Sequence, residues 1–245
     1  MRVKILEKND CYAAGEYIIP RGVMVHSTGA NNPRLSRYVG PNVYNNDWNR
    51  PDVGACVHAF IGLEDDGSVN TVQTLPWNIR GWHAGASANN THISFEICED
   101  GLKDREYFEK VYAEAVNLTA FLCNKFGLNP MADGVVICHS EGYRRGIASN
   151  HADVMHWFPI HGKTMDDFRR DVENAMKGDE NEMYNSVAEC PEYAQDVVRR
   201  LIDAGCLSGT GTGKKDADGR PADLELTTEM IRLMVIFDRA GALNI

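Results

Sequence analysis

Two short apolar runs, Val23-Met24-Val25 and Val135-Val136-Ile137-Cys138, each end in a histidine, His26 and His139. Runs of this length and composition read as buried strands. If the two strands are neighbours in one sheet, both imidazoles arrive at the same sheet end, and the fold must present that end to a site. Behind His139 come Glu141, His151, Asp153 and His156, at spacings too irregular for one helix face. This predicts a loop that folds back over the strand end. A catalytic zinc usually takes three protein ligands and leaves a fourth position for water. Asp153 reads as the best third ligand. His156 competes with it, although His156-Trp157-Phe158 has the look of a packing segment. Cys138 adjoins His139 on a strand, where successive side chains point to opposite faces, so the two do not easily share one metal.

The rest of the chain supplies the frame. Residues 57–63 and 69–74 flank Asp66-Gly67 and read as a β-hairpin, and residues 92–98 alternate as another strand interrupted by Glu96. Residues 31–53 lack periodicity and predict a surface excursion with one short helix near 33–38. A helix is expected from Asp104, with Phe108, Val111, Tyr112, Ala115, Leu118, Thr119 and Leu122 in one stripe and Gly127 just past its end. A shorter one follows Thr164, with Met165, Phe168, Val172 and Ala175 inward and Gly178 as its stop. Strands with helices laid against them predict an α/β domain over residues 1–177.

Residues 178–183 are polar and acidic and read as a linker to a small helical module over residues 184–245. There Pro191 opens a helix with Ala194, Val197, Val198, Leu201 and Ile202 on one face and Gly205 at its end. A second helix is expected from Thr227, with Met230, Leu233, Met234 and Phe237 inward and Gly241 as its stop.

Composition removes several classes of function. A formal net charge of −10 argues against nucleic acid, whose phosphates need a basic face. No apolar run approaches the ~20 residues of a membrane span, so membrane insertion is not expected. The first ten residues lack the apolar core of a signal peptide, which predicts synthesis in the cytoplasm without a leader and action elsewhere only after release. Seven cysteines without a C-x-x-C pair predict small buried apolar residues and no disulfide framework.

Two further residues carry chemistry. Glu96 is a carboxylate in the middle of an apolar strand, so it must be paired, face a cleft or be tuned in pKa. It is the candidate acid and base, against the alternative of a salt bridge to an arginine such as Arg80. His151 stands two residues before Asp153, where it could donate to a developing oxyanion, against the alternative of an exposed loop histidine.

At this point the motifs carry a resemblance. Val25-His26-Ser27-Thr28-Gly29, the Asp66-Gly67 hairpin, Trp82-His83-Ala84-Gly85, Ser94-Phe95-Glu96-Ile97-Cys98, Cys138-His139-Ser140-Glu141 and Asn150-His151-Ala152-Asp153 together resemble the zinc-dependent N-acetylmuramoyl-L-alanine amidases of the type 2 family. These share their fold with peptidoglycan recognition proteins. The match spans residues 18–177. It implies a central mixed β-sheet flanked by helices, one Zn2+, and hydrolysis by a zinc-bound water of the amide between N-acetylmuramic acid and L-alanine of the stem peptide. His26, His139 and Asp153 match the metal ligands, Glu96 the catalytic carboxylate and His151 the position that helps stabilise the intermediate. Many members carry lysine or threonine in place of His151 and cysteine as the last ligand. His58, Trp82 and His83 would lie on the substrate groove.

The lack of a leader fits a phage or prophage endolysin. The alternative is a non-catalytic peptidoglycan-binding receptor on the same fold. The C-terminal segment resembles, less closely, the helical modules of clostridial-type phage amidases, which implies binding of a secondary cell-wall polymer or self-association into a homodimer. From Asp179 onward there are 13 acidic and 7 basic residues, so bulk charge would not hold an anionic wall polymer.

Overall fold

The computed structural model describes residues 1–40, 48–177, 183–239 and 243. The expected linker at 178–183 falls almost wholly outside them, as do Gly178 and Gly241 and residues 41–47 of the expected surface excursion. The chain divides into two compact units, Met1–Met176 and Lys177–Ile245.

The first unit is built on six strands: β1 (Arg2–Val3), β2 (Gly22–Asn31), β3 (Ala59–Leu63), β4 (Val69–Gln73), β5 (His92–Glu99) and β6 (Val136–Cys138). Their order in the sheet is β1-β4-β3-β5-β2-β6. β3, β5, β2 and β6 run parallel, while β3 and β4 form the antiparallel hairpin. Its turn residue Gly67 sits at φ 84°, a conformation glycine adopts without a Cβ penalty. The two histidine-bearing strands are neighbours, although 113 residues separate His26 from His139. The central strands are largely buried on both faces, as parallel strands covered on both sides must be, but only the α3 face is uniformly apolar.

One face meets the long helix α3 (Arg105–Phe126) and the shorter α5 (Met165–Lys177). Asp104 caps α3 by accepting the Tyr107 N–H, and Gly127 closes it at φ 65°. All seven residues of the expected α3 stripe are buried. They pack with Val23, Val25, Ile93, Phe95, Ile97, Val136 and Cys138, the odd-numbered residues of β2 and β5 and their neighbours in β6. Burying a side chain such as Phe108 or Leu122 contributes roughly 1.5–3 kcal/mol. By strand alternation His26 and Glu96 must then look the other way, where Met24 and Ile137 meet Ala84, Ala88 and Ala148.

Three shorter helices complete this unit: α1 (Asp10–Ala14), α2 (Ser36–Val39) and α4 (His139–Arg144). α4 departs from the expected loop after His139. The Glu141 carboxylate accepts the Cys138 N–H and is held by Arg169, so one helical turn forms before the chain folds back. The cysteine expectation is corrected at one pair. Cys11 and Cys56 are joined by a disulfide, because α1, capped by Asn9, turns Cys11 inward while the Asn9 amide holds the Ala55 carbonyl beside it. The remaining described thiols are free and all but Cys206 are buried.

The second unit has its own core, formed by α6 (Glu192–Asp203), α7 (Thr228–Arg239) and an antiparallel pair of short strands, β7 (Met183–Tyr184) and β8 (Leu226–Thr227). Ala194, Val197, Val198 and Leu201 are buried as expected. The α7 stripe is corrected in part: Met234 packs on this core as expected, beside the buried Ile231 and Val235, whereas Met230, Leu233 and Phe237 are about half exposed, at 48%, 51% and 50%. The helix carries apolar residues at helical spacing on two faces, and only contact with α6 selects between them.

Candidate active site

Strand register assembles the first half of the site. His26 of β2 is the direct partner of Glu96 in β5, and Val25 is the partner of Cys138, so His139 follows level with His26. Three adjacent strands of one direction thus set Glu96, His26 and His139 in a row, each about 4.8 Å from the next along the sheet. Cys138, one residue earlier, is buried against α3, and burial raises its thiol above the ordinary range. It is not a ligand.

The returning loop supplies the second half. Asp153 stands at φ 45°, a left-handed conformation uncommon for residues other than glycine, and this aims its carboxylate back at the strands. Its Oδ2 lies 2.9 Å from His139 Nδ1 and 3.3 Å from His26 Nδ1, and the two Nδ1 atoms are 3.2 Å apart. Burial drives the His26 ring toward its neutral form, with Asp153 only partly opposing. Burial acts to raise the Asp153 carboxyl as well, but hydrogen bonds to His139 and His26 outweigh it and hold the group well below the ordinary range. Among the described residues this is the one group of three donors placed to hold a metal ion. Two imidazole nitrogens and one carboxylate oxygen suit zinc by donor type. His156 is not part of the group: its Nε2 lies 3.1 Å from Glu99, a buried carboxylate the strand alternation gave no reason to single out.

Glu96 lines the same cleft, a cavity of about 400 Å³ that also holds His26, His139, His151, Asp153 and His156. Its Oε2 is buried and has no hydrogen-bond partner. Burial, and then the negative charges of Asp153 and Glu99, raise this carboxyl well above the ordinary range. The salt-bridge alternative is not realised, since Arg80 engages Glu16 and Asn90. His151 is exposed, with its ring tilted against that of His139 at 4.6 Å between centroids.

A second cavity, of about 740 Å³, continues from the cleft and is lined by Trp82, His83, Arg80, Asn90, His139 and His151 among others. Trp82 and His83, expected on a substrate groove, both line this cavity. His58 does not, and its assignment to the groove is corrected. It is fully buried, accepts the Ser94 N–H at Nδ1 (3.0 Å) and donates from Nε2 to the Ile79 carbonyl (2.8 Å). Burial lowers its pKa to about 4, so it is a neutral structural residue stacked on Trp77. Two residues of the site left no mark in the sequence: Ser149, whose Oγ is 3.1 Å from His139 Nε2, and Asn89, whose side chain braces the backbone at His83.

This sheet, flanked by helices and carrying its donors at one end, is matched elsewhere. The chain belongs to the N-acetylmuramoyl-L-alanine amidase family Amidase_2, whose model matches residues 16–156. Among solved structures it is similar to the Staphylococcus aureus hydrolase AmiA in complex with its ligand, at TM-score 0.53 and 22% identity over 66% of this chain and 78% of that one. PlyL gives TM-score 0.52 and 20% identity over 70% of this chain and 96% of the other. The PlyG catalytic domain gives TM-score 0.52 and 20% identity over 71% and 94%. At these identities the likeness is one of fold. A search of curated proteins finds no match. Among the described residues no helix is long and apolar enough to cross a membrane.

Proposed function

We propose that the first unit cleaves peptidoglycan at the amide joining the lactyl group of N-acetylmuramic acid to L-alanine of the stem peptide, with zinc held by His26, His139 and Asp153. The observation that carries this reading is the convergence of His26 Nδ1, His139 Nδ1 and Asp153 Oδ2 within 3.3 Å of one another, beside Glu96, whose buried Oε2 has no hydrogen-bond partner. Zinc bound there would polarise the amide carbonyl and lower the pKa of a water to about 7.

The chain's own residues then have distinct tasks. Glu96 takes the proton of the attacking water, and its raised pKa lets it hold that proton near neutral pH. It delivers the same proton to the departing alanine nitrogen. His151, at the mouth of the cleft, donates to the oxygen on which negative charge develops. Trp82 offers an apolar face to the substrate along the adjoining groove.

The family supports an endolysin-like enzyme that acts on the bacterial wall. The alternative is a receptor that binds peptidoglycan without cutting it. Intact donors and Glu96 favour the enzyme. For the second unit we propose contact with a wall polymer, or pairing of two chains through the exposed Met230, Leu233 and Phe237. The test is zinc content measured on the same sample as release of free lactyl ends from purified peptidoglycan. Zinc at about one equivalent with release is expected; tight binding to peptidoglycan without release would establish the receptor instead.

A further inference from the structure

The larger cavity has a wall that the donor-bearing strands do not supply. Residues 48–58 hold turns, bends and one bridge, in which Cys56 and Trp82 exchange backbone N–H and carbonyl groups at 3.1 Å each way. Gly54 and Ala55, just ahead of that bridge, line the cavity together with Trp82. A segment this poor in regular structure owes its position to whatever holds it from behind.

Behind it stands α1. The amide of Asn9, which caps this helix, donates to the Trp48 and Ala55 carbonyls at 2.9 and 3.1 Å, and Cys11 within the helix is bonded to Cys56. Both cysteines are buried with Leu75 and Ile79, and the Trp82 side chain packs on the same cluster. Trp82 therefore leans on the disulfide twice, through its backbone bridge to Cys56 and through its side chain. α1 is five residues long, well short of a helix that is stable by itself, so the covalent link steadies helix and wall together. Beyond Trp82 the backbone has a separate anchor, since the Asn89 Oδ1 accepts the His83 N–H at 2.9 Å. His26, Glu96, His139 and Asp153 all belong to other segments.

We propose that Cys11 and Cys56 are the positioning pair of the substrate groove, so that the affinity of this chain for peptidoglycan is set by whether their disulfide is closed. The proposal rests on the reading of the larger cavity as that groove. With both thiols reduced, Gly54, Ala55 and Trp82 are less constrained and must be ordered when substrate binds. With the bond closed, that ordering is already done. Closing it removes one proton and one electron from each thiol, and a small-molecule disulfide such as oxidised glutathione takes up both electrons and both protons as it becomes two thiols. Cytosolic conditions keep such pairs reduced, and extracellular conditions let them close. A wall-cutting enzyme built this way holds its substrate least under reducing conditions and best under oxidising ones.

The test uses the full chain, kept under a phosphine reductant throughout purification and then divided, one half being oxidised with oxidised glutathione. Peptide mass mapping of the oxidised half should show Cys11 joined to Cys56. Its KM for soluble muramoyl-peptides should be lower by roughly 3- to 10-fold, with kcat and zinc content the same in both halves. A chain carrying Cys11→Ser and Cys56→Ser should match the reduced native chain and should not respond to oxidation, which also controls for the exposed Cys206. Amide hydrogen exchange, read without any substrate, should be faster at residues 53–56 and 82 in the reduced half. Equal KM in the two halves, a double variant with the KM of the oxidised chain, an oxidised chain without the crosslink, or unchanged exchange at residues 53–56 would each overturn the proposal. An oxidised native chain that neither binds nor cleaves muramoyl-peptides would overturn the groove reading and this proposal with it, and faster exchange in the reduced half would then place the failure in the groove reading.

Discussion

Replacing Glu96 by glutamine should cost activity and add stability, and the two effects have opposite signs for one physical reason. The carboxylate is buried, one oxygen lacks a partner, and Asp153 and Glu99 add like charge, so the folded chain resists its ionisation. The unfolded chain ionises this group from its ordinary pKa of 4.5 upward. Stability is therefore lost progressively as pH rises from 4.5 through the higher folded pKa, and below 4.5 both states are protonated and nothing is lost. Glutamine has the same shape and never ionises. At neutral pH relief of an unpaired buried group is worth about 1–3 kcal/mol. For a unit of 176 residues that is a rise in Tm of about 2–4 °C per kcal/mol. The measurement is thermal unfolding of metal-free native and Glu96→Gln chains across the acid and neutral range, with the advantage of the variant vanishing at the acid end. With zinc restored, turnover of muramoyl-peptides should fall by roughly 10²- to 10⁴-fold. A variant that melts no higher than the native chain at neutral pH would refute the account of its burial, and one with near-native turnover would refute its role as base.

Asp153→Ala should abolish zinc binding, and removal of zinc by a chelator should abolish hydrolysis reversibly; full activity after exhaustive metal removal would exclude the metal mechanism. A chain ending at Lys177 should cleave soluble muramoyl-peptides as the full chain does, because every proposed ligand lies before it, yet lyse intact walls less well through lost avidity. Equal lysis of walls would remove any targeting role from the second unit, and sedimentation of the full chain as a monomer at micromolar concentration would remove pairing. Asp104→Ala, which deletes the side-chain acceptor for the Tyr107 N–H, should cost about 1 kcal/mol in thermal unfolding with kcat unchanged.

The parts of the fold legible in the sequence are those where one local pattern admits one solution. The hairpin has its Asp66-Gly67 turn, and α3 has a capping aspartate, a single apolar stripe and a closing glycine. The two strand-end histidines were legible because an apolar run of three or four residues leaves its terminal polar residue no role in the core. What stayed hidden depends on contacts distant in sequence. Nothing around His58 distinguishes it from His83, yet one ring meets the Ile79 carbonyl in the core and the other meets His26. Ser149 and Asn89 are ordinary polar loop residues until the fold brings Ala84 and His139 to them. The apolar faces of α7 compete on equal terms in the sequence, and the partner helix decides. The pairing of Cys11 with Cys56 spans 45 residues and follows from the placement of α1, which is too short for its own periodicity to announce.

The register that aligns Glu96 with His26 couples the cleft to the core in a way that constrains how such a chain can change length. One residue inserted into β2 ahead of His26 would carry the imidazole round to the α3 side and bring Val25 into the cleft, since each step along a strand reverses its face. The same holds for β5 ahead of Glu96. Substitutions among Val23, Val25, Ile93 and Phe95 leave this phase untouched, and the connection between β5 and α3 can lengthen without disturbing it. A lineage descended from this chain is thus free to exchange its core side chains or extend its loops, but a single-codon insertion or deletion inside either strand removes chemistry and packing in one event.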